Sequence, residues 1–141
     1  MKTEPRATIS GLKVAGVIAL LASLLVLLPA ASAESYSVQI GASVNDNTVY
    51  NGQTVTFTYV VTNAGDDLDY VEIGGIAPTT TDFLEDYQTV TLQEEYTVDL
   101  NDFVQYNGRY YLPNDATATA YLDGQIVSQA NSRVTLIGPR V

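Results

Sequence analysis

Hydrophobic and polar residues alternate most regularly between Gln53 and Gly65. One face of this stretch in extended form carries threonines, and the other carries the apolar side chains Val55, Phe57, Tyr59 and Val61. A period of two residues is typical of a half-buried β-strand. Turn-forming residues stand at both ends, Asn51-Gly52 before it and Asn63-Ala64-Gly65 after it. The pattern therefore predicts the central strand of a β-rich domain, with the apolar face in the core.

The same alternation recurs on both sides of this strand. Further strands are predicted over 36–44, 70–73, 89–100, 116–122 and 125–137, and the segment 76–87 fits either a short edge strand or a helical turn. Asp123-Gly124 is the strongest hairpin signal in the chain. Between residues 99 and 111 we expect a helical turn capped by Asp99 and a loop that contains Asn107-Gly108. Glu94 falls on an apolar face, so we expect a bulge or an exposed end there.

No segment after residue 33 has a long helical period. Six or seven strands, spaced by about a dozen residues and separated by Gly, Asn and Asp turns, are typical of an antiparallel sandwich. The sequence therefore predicts an all-β domain, an immunoglobulin-like antiparallel β-sandwich of about seven strands, preceded by an N-terminal hydrophobic signal helix.

The first 33 residues follow a different pattern. Three basic residues are followed by the apolar run 14–28 and then by Ala31-Ser32-Ala33. This is the order of a secretory signal peptide, with cleavage expected before Glu34. The run is shorter than the roughly 20 residues that a membrane span requires. We expect residues 1–33 to be the signal and residues 34–141 the sandwich domain, secreted or displayed at the cell surface. In the alternative, an uncleaved anchor contacts the membrane through residues 14–28.

Charge and composition narrow the possible functions. Residues 34–141 contain fifteen acidic residues, three arginines and no lysine, a net charge of −12. Such a surface repels nucleic acid and anionic lipid, so neither is an expected partner. Cysteine and histidine are absent, which excludes disulfides, thiolate sites and imidazole-based catalysis. Without an activated nucleophile or a cofactor motif, we do not expect an enzyme.

Two acidic clusters are candidates for calcium binding. Four carboxylates fall within seven residues at Asp66, Asp67, Asp69 and Glu72. Carboxylate oxygens on a loop are ligands that calcium prefers, so calcium is the one cofactor considered. The second cluster is Asp99-Leu100-Asn101-Asp102. Neither has a spacing specific to a known calcium loop, and the alternative is that these are solvated loop acids and a helix cap.

Tyrosine is unusually frequent, with ten in the chain. Seven lie outside the most clearly apolar strand faces: Tyr50, Tyr70, Tyr87, Tyr106, Tyr110, Tyr111 and Tyr121. Exposed tyrosine combines contact area with a hydrogen-bonding tip, which suits protein association or glycan stacking. The alternative is that these rings border the core.

The first strand of the domain is a candidate for assembly. It begins two residues after the predicted cleavage site, so we expect little to tether it. It could be donated to a neighbouring molecule, building a filament by strand addition, or it could pair within its own domain. The residues of this candidate assembly strand are Tyr36, Val38, Ile40, Ala42 and Val44.

The central stretch also carries a family resemblance. Residues 52–65, Gly-Gln-Thr-Val-Thr-Phe-Thr-Tyr-Val-Val-Thr-Asn-Ala-Gly, resemble the G-x-T-V-T-Y-T-x-x-V-T-N-x-G signature of the DUF11-type immunoglobulin-like repeats of bacterial and archaeal surface proteins. Residues 95–98, 115–120 and 132–136 are similar to the closing strands of that family. The resemblance spans residues 36–137 and implies an immunoglobulin-like fold at the cell surface. This chain has one unit instead of an array, which suggests a protein that assembles with others or acts alone.

These observations favour a secreted or cell-surface structural or adhesive protein. We expect a subunit of an extracellular filament that is built by strand donation or lateral sandwich contacts, with itself or other surface proteins as partners. One alternative is an archaeal type IV pilin-like subunit that keeps its N-terminal helix. Residues 6–10 resemble a prepilin cleavage region, whereas Lys13, Pro29 and Ala31-Ser32-Ala33 favour a signal peptide. The other alternative is a calcium- or glycan-binding surface module.

Overall fold

The computed structural model describes residues 34–141, and the predicted signal segment, residues 1–33, lies outside the described residues. The strands of the described part are β1 (Val38–Val44), β2 (Thr54–Asn63), β3 (Tyr70–Ile73), β4 (Thr79–Thr80), β5 (Thr89–Thr97), β6 (Val104–Tyr106), β7 (Arg109–Leu122) and β8 (Gln125–Arg140). A three-residue 3-10 helix, Leu100–Asp102, lies between β5 and β6. Over residues 34–141 there is no helix long and apolar enough to cross a membrane.

The strands pair antiparallel in two sheets. Sheet A has the order β1-β2-β5. In sheet B the long strand β7 is central: β8 pairs along one edge, and β3 and β6 pair with separate parts of the other edge. The short strand β4 extends sheet B beyond β3. The prediction of an all-β domain with antiparallel sheets is confirmed for residues 34–141, and the arrangement is consistent with a β-sandwich.

The core forms where the alternation predicted it. Val55, Phe57, Tyr59 and Val61 of β2 are each 0% exposed. They share one hydrophobic cluster with the inward-facing residues of sheet B, Val71, Ile73, Ala116, Ala118 and Ala120. The period-two pattern of the central strand therefore identified its buried face correctly.

Two hairpins are closed by two-residue turns with left-handed backbone. Asp123 and Gly124 have φ values of 52° and 76° and join β7 to β8, which confirms the predicted hairpin. Asn107 and Gly108 have φ values of 49° and 74° and join β6 to β7. Both turns match the type I′ geometry that suits the twist of adjacent strands. The second was predicted only as a loop, because β6 is too short to produce a recognisable alternation.

Strand β7 begins earlier than the predicted segment 116–122. It includes Pro113, which cannot donate a backbone hydrogen bond. Pro113 lies between the part of β7 that pairs with β6 and the part that pairs with β3. In that interval no strand of the described residues pairs with this edge of β7. The lack of an N–H at Pro113 therefore costs no hydrogen bond between strands.

A polar network crosses the core at Tyr59. Its hydroxyl donates to the carbonyl oxygen of Ala77 at 2.9 Å and accepts from Nδ2 of Asn114 at 3.0 Å. Oδ1 of Asn114 in turn accepts from the N–H of Ile76 at 3.1 Å. Tyr59 and Asn114 are both 0% exposed, and burial raises the pKa of the Tyr59 hydroxyl. The network therefore ties β2 to β7 and to the loop after β3.

A second buried amide fixes the end of β2. Nδ2 of Asn63 donates to the carbonyl oxygens of Asp66, Leu84 and Glu85 at 2.9–3.2 Å, and its Oδ1 accepts from the N–H of Gly65. The side chain is 0% exposed. The sequence predicts a turn at Asn63, whereas in the structure its side chain holds two separate loops together.

Candidate functional site

Sheet A ends at β5, and the outer edge of this nine-residue strand has no strand partner among residues 34–141. At its C-terminal end, the N–H of Val98 donates to the carbonyl of Gln53 at 2.7 Å, on the side of β2. Backbone groups point alternately to the two edges of a strand. The N–H and C=O groups of Thr91, Gln93 and Glu95 therefore point to the open edge.

The inner face of β5 is less covered than the rest of the core. Val90, Leu92, Glu94 and Tyr96 are half-buried, whereas the neighbouring face of β2 is fully buried. Apolar surface thus remains accessible directly beside the open edge. A strand added at this edge would cover that surface.

Glu94 lies on the inner face of β5, opposite Phe57 of β2. The register of β5 with β2 is unbroken through this pair, so of the two expected alternatives, a bulge or an exposed end, the bulge is absent. The carboxylate needs no bulge, because the edge position leaves it half-exposed. An inward-pointing charge on an edge strand opposes uncontrolled pairing with other strands. Glu94 therefore limits which partners this edge can accept.

The 3-10 helix fixes the C-terminal end of β5. Oδ1 of Asp99 accepts from the N–H of Asn101 at 2.9 Å, which confirms the predicted cap at Asp99. The hydroxyl of Tyr96 donates to Oδ2 of Asp102 at 2.8 Å. Burial and this hydrogen bond raise the pKa of Tyr96 to about 12. The second predicted acidic cluster thus caps a helical turn.

The candidate assembly strand pairs within its own chain. Seven residues of β1 lie opposite β2, from Val38 opposite Asn63 to Val44 opposite Phe57. Val38 is buried, and the other members of the predicted set are half-buried against the core: Tyr36, Ile40, Ala42 and Val44. Exchange of this strand between molecules stays a prediction.

Two serines of β8 cover the outer edge of β1. Oγ of Ser128 accepts from the N–H of Val38, and Oγ of Ser132 accepts from the N–H of Ala42, each at 3.1 Å. Neither serine is among the residues predicted from the sequence. The available signal was their two-residue alternation with Ala130, which places small polar groups on the inner side of the last strand. Among residues 34–141, two outward N–H groups of β1 are thus bonded by side chains, whereas the outward N–H groups of β5 have no such partner.

The segment before β1 is held by backbone hydrogen bonds. The N–H groups of Ala64 and Asp66 donate to the carbonyls of Ser37 and Ser35 at 2.8 Å, and the N–H of Ser35 donates to Oδ2 of Asp66. Gly65 lies between them, where a Cβ would overlap the carbonyl oxygen of Ser35. The expectation that little tethers this strand is therefore wrong.

The structure disperses the four carboxylates predicted as calcium ligands, Asp66, Asp67, Asp69 and Glu72. Oδ1 of Asp67 accepts from the N–H of Asp86 at 2.9 Å, and Oδ2 of Asp69 accepts from the N–H of Asp123 at 2.8 Å. Glu72 is on the outer face of β3. Over residues 34–141 no three acidic side chains converge closely enough to hold a metal ion. Asp66, Asp67 and Asp69 instead each accept a hydrogen bond from a different backbone N–H group.

An acidic concavity of about 510 Å³ lies where the N-terminal segment meets the loop after β2. Its lining consists of Glu34, Tyr36, Asp66, Asp67, Asp86, Leu122 and Asp123. The Tyr36 hydroxyl donates to Oε1 of Glu34 at 2.8 Å, and this bond, with a smaller effect of burial, raises the pKa of Tyr36 to about 12. The concavity concentrates negative charge at this end of the domain.

The seven tyrosines singled out by sequence separate into two groups. Tyr50, Tyr87 and Tyr106 are 66–75% exposed. The other four are half-buried: Tyr70, Tyr110, Tyr111 and Tyr121. Two of these, Tyr70 and Tyr121, stack on the outer face of sheet B with ring centroids 4.9 Å apart. Some tyrosines are thus available for contacts with partners, and others border the core.

No protein-family model matches the chain, and no curated protein matches it. Among solved structures, a β-glucosidase of Erythrobacter marinus is 11% identical over 74% of this chain and 16% of that chain, with a TM-score of 0.42. A Pseudomonas fluorescens alkylpurine DNA glycosylase, bound to DNA containing an abasic site analogue, is 12% identical over 68% of this chain and 30% of that chain, with a TM-score of 0.32. The chain thus spans less than a third of either protein, and likeness this low supports no inference about activity.

Proposed function

We propose that the protein is a secreted or cell-surface structural or adhesive protein, a subunit of extracellular filaments that associates with copies of itself or with other surface proteins. The observation that carries this proposal is the open, nine-residue edge of β5. The signal-like pattern of residues 1–33 supports export. The proposed role is non-catalytic, in keeping with a chain that lacks histidine and cysteine.

The β5 edge is chemically suited to strand addition. Unpaired N–H and C=O groups along a sheet edge are a template for another strand. An antiparallel copy of β5 centred on Gln93 would place Thr91 opposite Glu95 and Leu92 opposite Glu94. No glutamate would then face another glutamate directly, and the half-buried apolar side chains of both copies would be covered. The edge is therefore compatible with an isologous pair.

Net charge sets the conditions for this association. Each domain carries a charge of −12 over residues 34–141, so two copies repel at low ionic strength. Salt screens charges separated by more than about 8–10 Å at physiological ionic strength. We therefore expect association to strengthen as salt concentration rises.

The order of strands within each sheet supports a more specific fold assignment. β2 lies between β1 and β5, and β7 lies between β3 and β8. Immunoglobulin-like sandwiches have this order, with strand B between A and E and strand F between C and G. Together with the signature at residues 52–65, it supports an immunoglobulin-like domain of the DUF11 type.

A filament requires a second contact, because a two-fold pair closes on itself. Exchange of β1 between neighbouring molecules is our candidate for that contact. Exchange would reproduce the pairing with β2 and the two serine hydrogen bonds of β8 in another molecule. SDS-resistant multimers that disappear when residues 34–44 are deleted would support it, and a folded, strictly monomeric protein would contradict it.

Replacing Gln93 with proline tests the β5 edge. The N–H of Gln93 points away from β2, so Gln93→Pro blocks the edge while the ladder with β2 is kept. Gln93→Ala is the matched control, because it removes the side chain and retains the N–H. We expect sedimentation velocity at high salt to show assemblies for wild type and Gln93→Ala, and monomers for Gln93→Pro at an unchanged melting temperature. A wild-type chain that is monomeric at every salt concentration would refute the proposal.

Intact-mass measurement of the native protein separates the alternatives for its N-terminus. A chain that begins at Glu34 is a processed, secreted domain. A chain that begins near Thr8 keeps its apolar segment and fits the pilin-like alternative. Negative-stain microscopy of the same preparation shows whether filaments form.

A further inference from the structure

The outer face of sheet B carries a stacked pair of tyrosine rings. Tyr70 of β3 lies directly opposite Tyr121 of β7, with ring planes inclined by 19°. Both side chains are half-buried, so part of the pair is open to solvent. Partial burial and the neighbouring Glu72 carboxylate raise the pKa of Tyr121. Because the two rings stack on each other, they offer a ligand their exposed edges and outer faces, together with hydroxyl groups that can form hydrogen bonds.

A groove of about 410 Å³ lies beside this pair. Glu72 and Thr119 line it and lie opposite each other two residues along from the tyrosines, a distance of about 7 Å. On the adjacent strand, Nε2 of Gln129 donates to Oγ1 of Thr119 at 3.2 Å. The remaining lining consists of Ile73, Gly74, Pro78, Thr79, Thr80 and Thr117. Hydroxyl groups and one carboxylate thus dominate the polar surface of the groove.

The charge and the polar groups of the groove indicate which class of ligand it can bind. No arginine lines the groove, and residues 34–141 carry a net charge of −12, so an anion is repelled. A wholly apolar ligand would leave the hydroxyls and the carboxylate without partners. A neutral sugar chain meets both conditions, since each ring has an apolar C–H face and a rim of hydroxyls.

We infer that this face of sheet B binds a neutral oligosaccharide. One sugar ring packs its C–H face against the exposed part of the Tyr121 ring, and the neighbouring ring donates hydroxyl hydrogen bonds to Glu72 and accepts from Thr119 and Gln129. The site lies on sheet B, whereas the proposed assembly edge belongs to sheet A. Glycan binding therefore does not depend on self-association.

Calorimetric titration of the full chain with defined hexasaccharides tests this inference. The probes are cellohexaose, mannohexaose and chitohexaose, with hexagalacturonate as the acidic comparison, in a detergent without a sugar headgroup. We expect at least one neutral probe to bind, and Tyr121→Ala to weaken that binding about tenfold. Tyr121→Phe retains the ring and is expected to stay within about twofold of wild type. Tyr106→Ala, which removes an exposed ring outside the groove, is the matched control and is expected to bind as wild type does.

The inference is overturned if no neutral probe binds, if Tyr121→Ala binds as wild type does, or if hexagalacturonate binds more tightly. Should Tyr121→Ala lower the melting temperature, Glu72→Gln replaces it, because this change keeps both rings. Undiminished binding by Glu72→Gln would then contradict the inference. Repeating the titration with Gln93→Pro separates the two proposals, because that variant is expected to bind sugar as a monomer.

Discussion

Replacing Tyr59 with phenylalanine removes one oxygen atom from the centre of the core. That oxygen donates to the carbonyl of Ala77 and accepts from the amide of Asn114, and Tyr59 and Asn114 are fully buried. Each buried group left without a partner costs about 1–3 kcal/mol. Since two groups lose a partner and the ring itself is retained, we expect Tyr59→Phe to lower the free energy of unfolding by about 2–3 kcal/mol. For a domain of this size that is a fall of roughly 10–20 °C in melting temperature.

Urea denaturation followed by far-UV circular dichroism measures this change. Tyr36→Phe is the matched control, because its hydroxyl bonds only to Glu34 at the surface and its loss is expected to cost less than about 0.5 kcal/mol. A double-mutant cycle with Asn114→Ala is expected to show strong non-additivity, since the two side chains share one hydrogen bond. If Tyr59→Phe is as stable as Tyr36→Phe, the network does not stabilise the fold as argued.

Three further predictions concern the backbone and the tyrosine hydroxyls. Gly65→Ala is expected to displace the segment at Ser35 and to destabilise the domain by about 1–3 kcal/mol, measured by urea denaturation; an unchanged midpoint would contradict the close packing. Gly124→Ala is expected to cost about 1 kcal/mol, since Gly124 has φ of +76° but open space around it, and thermal melting would show this. The pKa values of Tyr36 and Tyr96 in the folded protein are raised to about 12. The contribution of their protonated hydroxyls to the free energy of folding is therefore complete below pH 10 and is lost as pH rises toward 12. Absorbance titration of tyrosinate in Tyr96→Phe is expected to lack one late-titrating group, and an identical curve would refute that assignment.

Features that depend on near neighbours in the chain were predictable from the sequence. The buried face of β2 follows from its own alternation, and the turn at Asp123 and Gly124 follows from the tolerance of these residues for positive φ. The cap at Asp99 is equally local, because its partner is two residues away. In each case the residues that decide the structure lie within one short stretch.

Features that depend on distant partners were missed. Asn63 and Asn114 are typical turn residues by local chemistry, yet their partners include Leu84, 21 residues away, and Tyr59, 55 residues away. The open edge of β5 depends on the order of strands in sheet A, which no single stretch specifies. Calcium binding at the first acidic cluster stays a prediction that relied on closeness in sequence, whereas Asp66, Asp67 and Asp69 bind backbone N–H groups of three separate segments.

The serine hydrogen bonds to β1 connect residues 90 positions apart in the chain. In a chain that emerges with its N-terminus first, β1 is made long before β8. At synthesis rates of about 5–20 residues per second, β1 waits roughly 5–20 s for those serines. During that delay the outer edge of β1 has no hydrogen bonds to the serines of β8. That edge is then accessible to a neighbouring nascent chain. The two serine hydroxyls can therefore bind β1 only late in synthesis, and the exchange of β1 that we propose would have to begin in the interval before β8 is made.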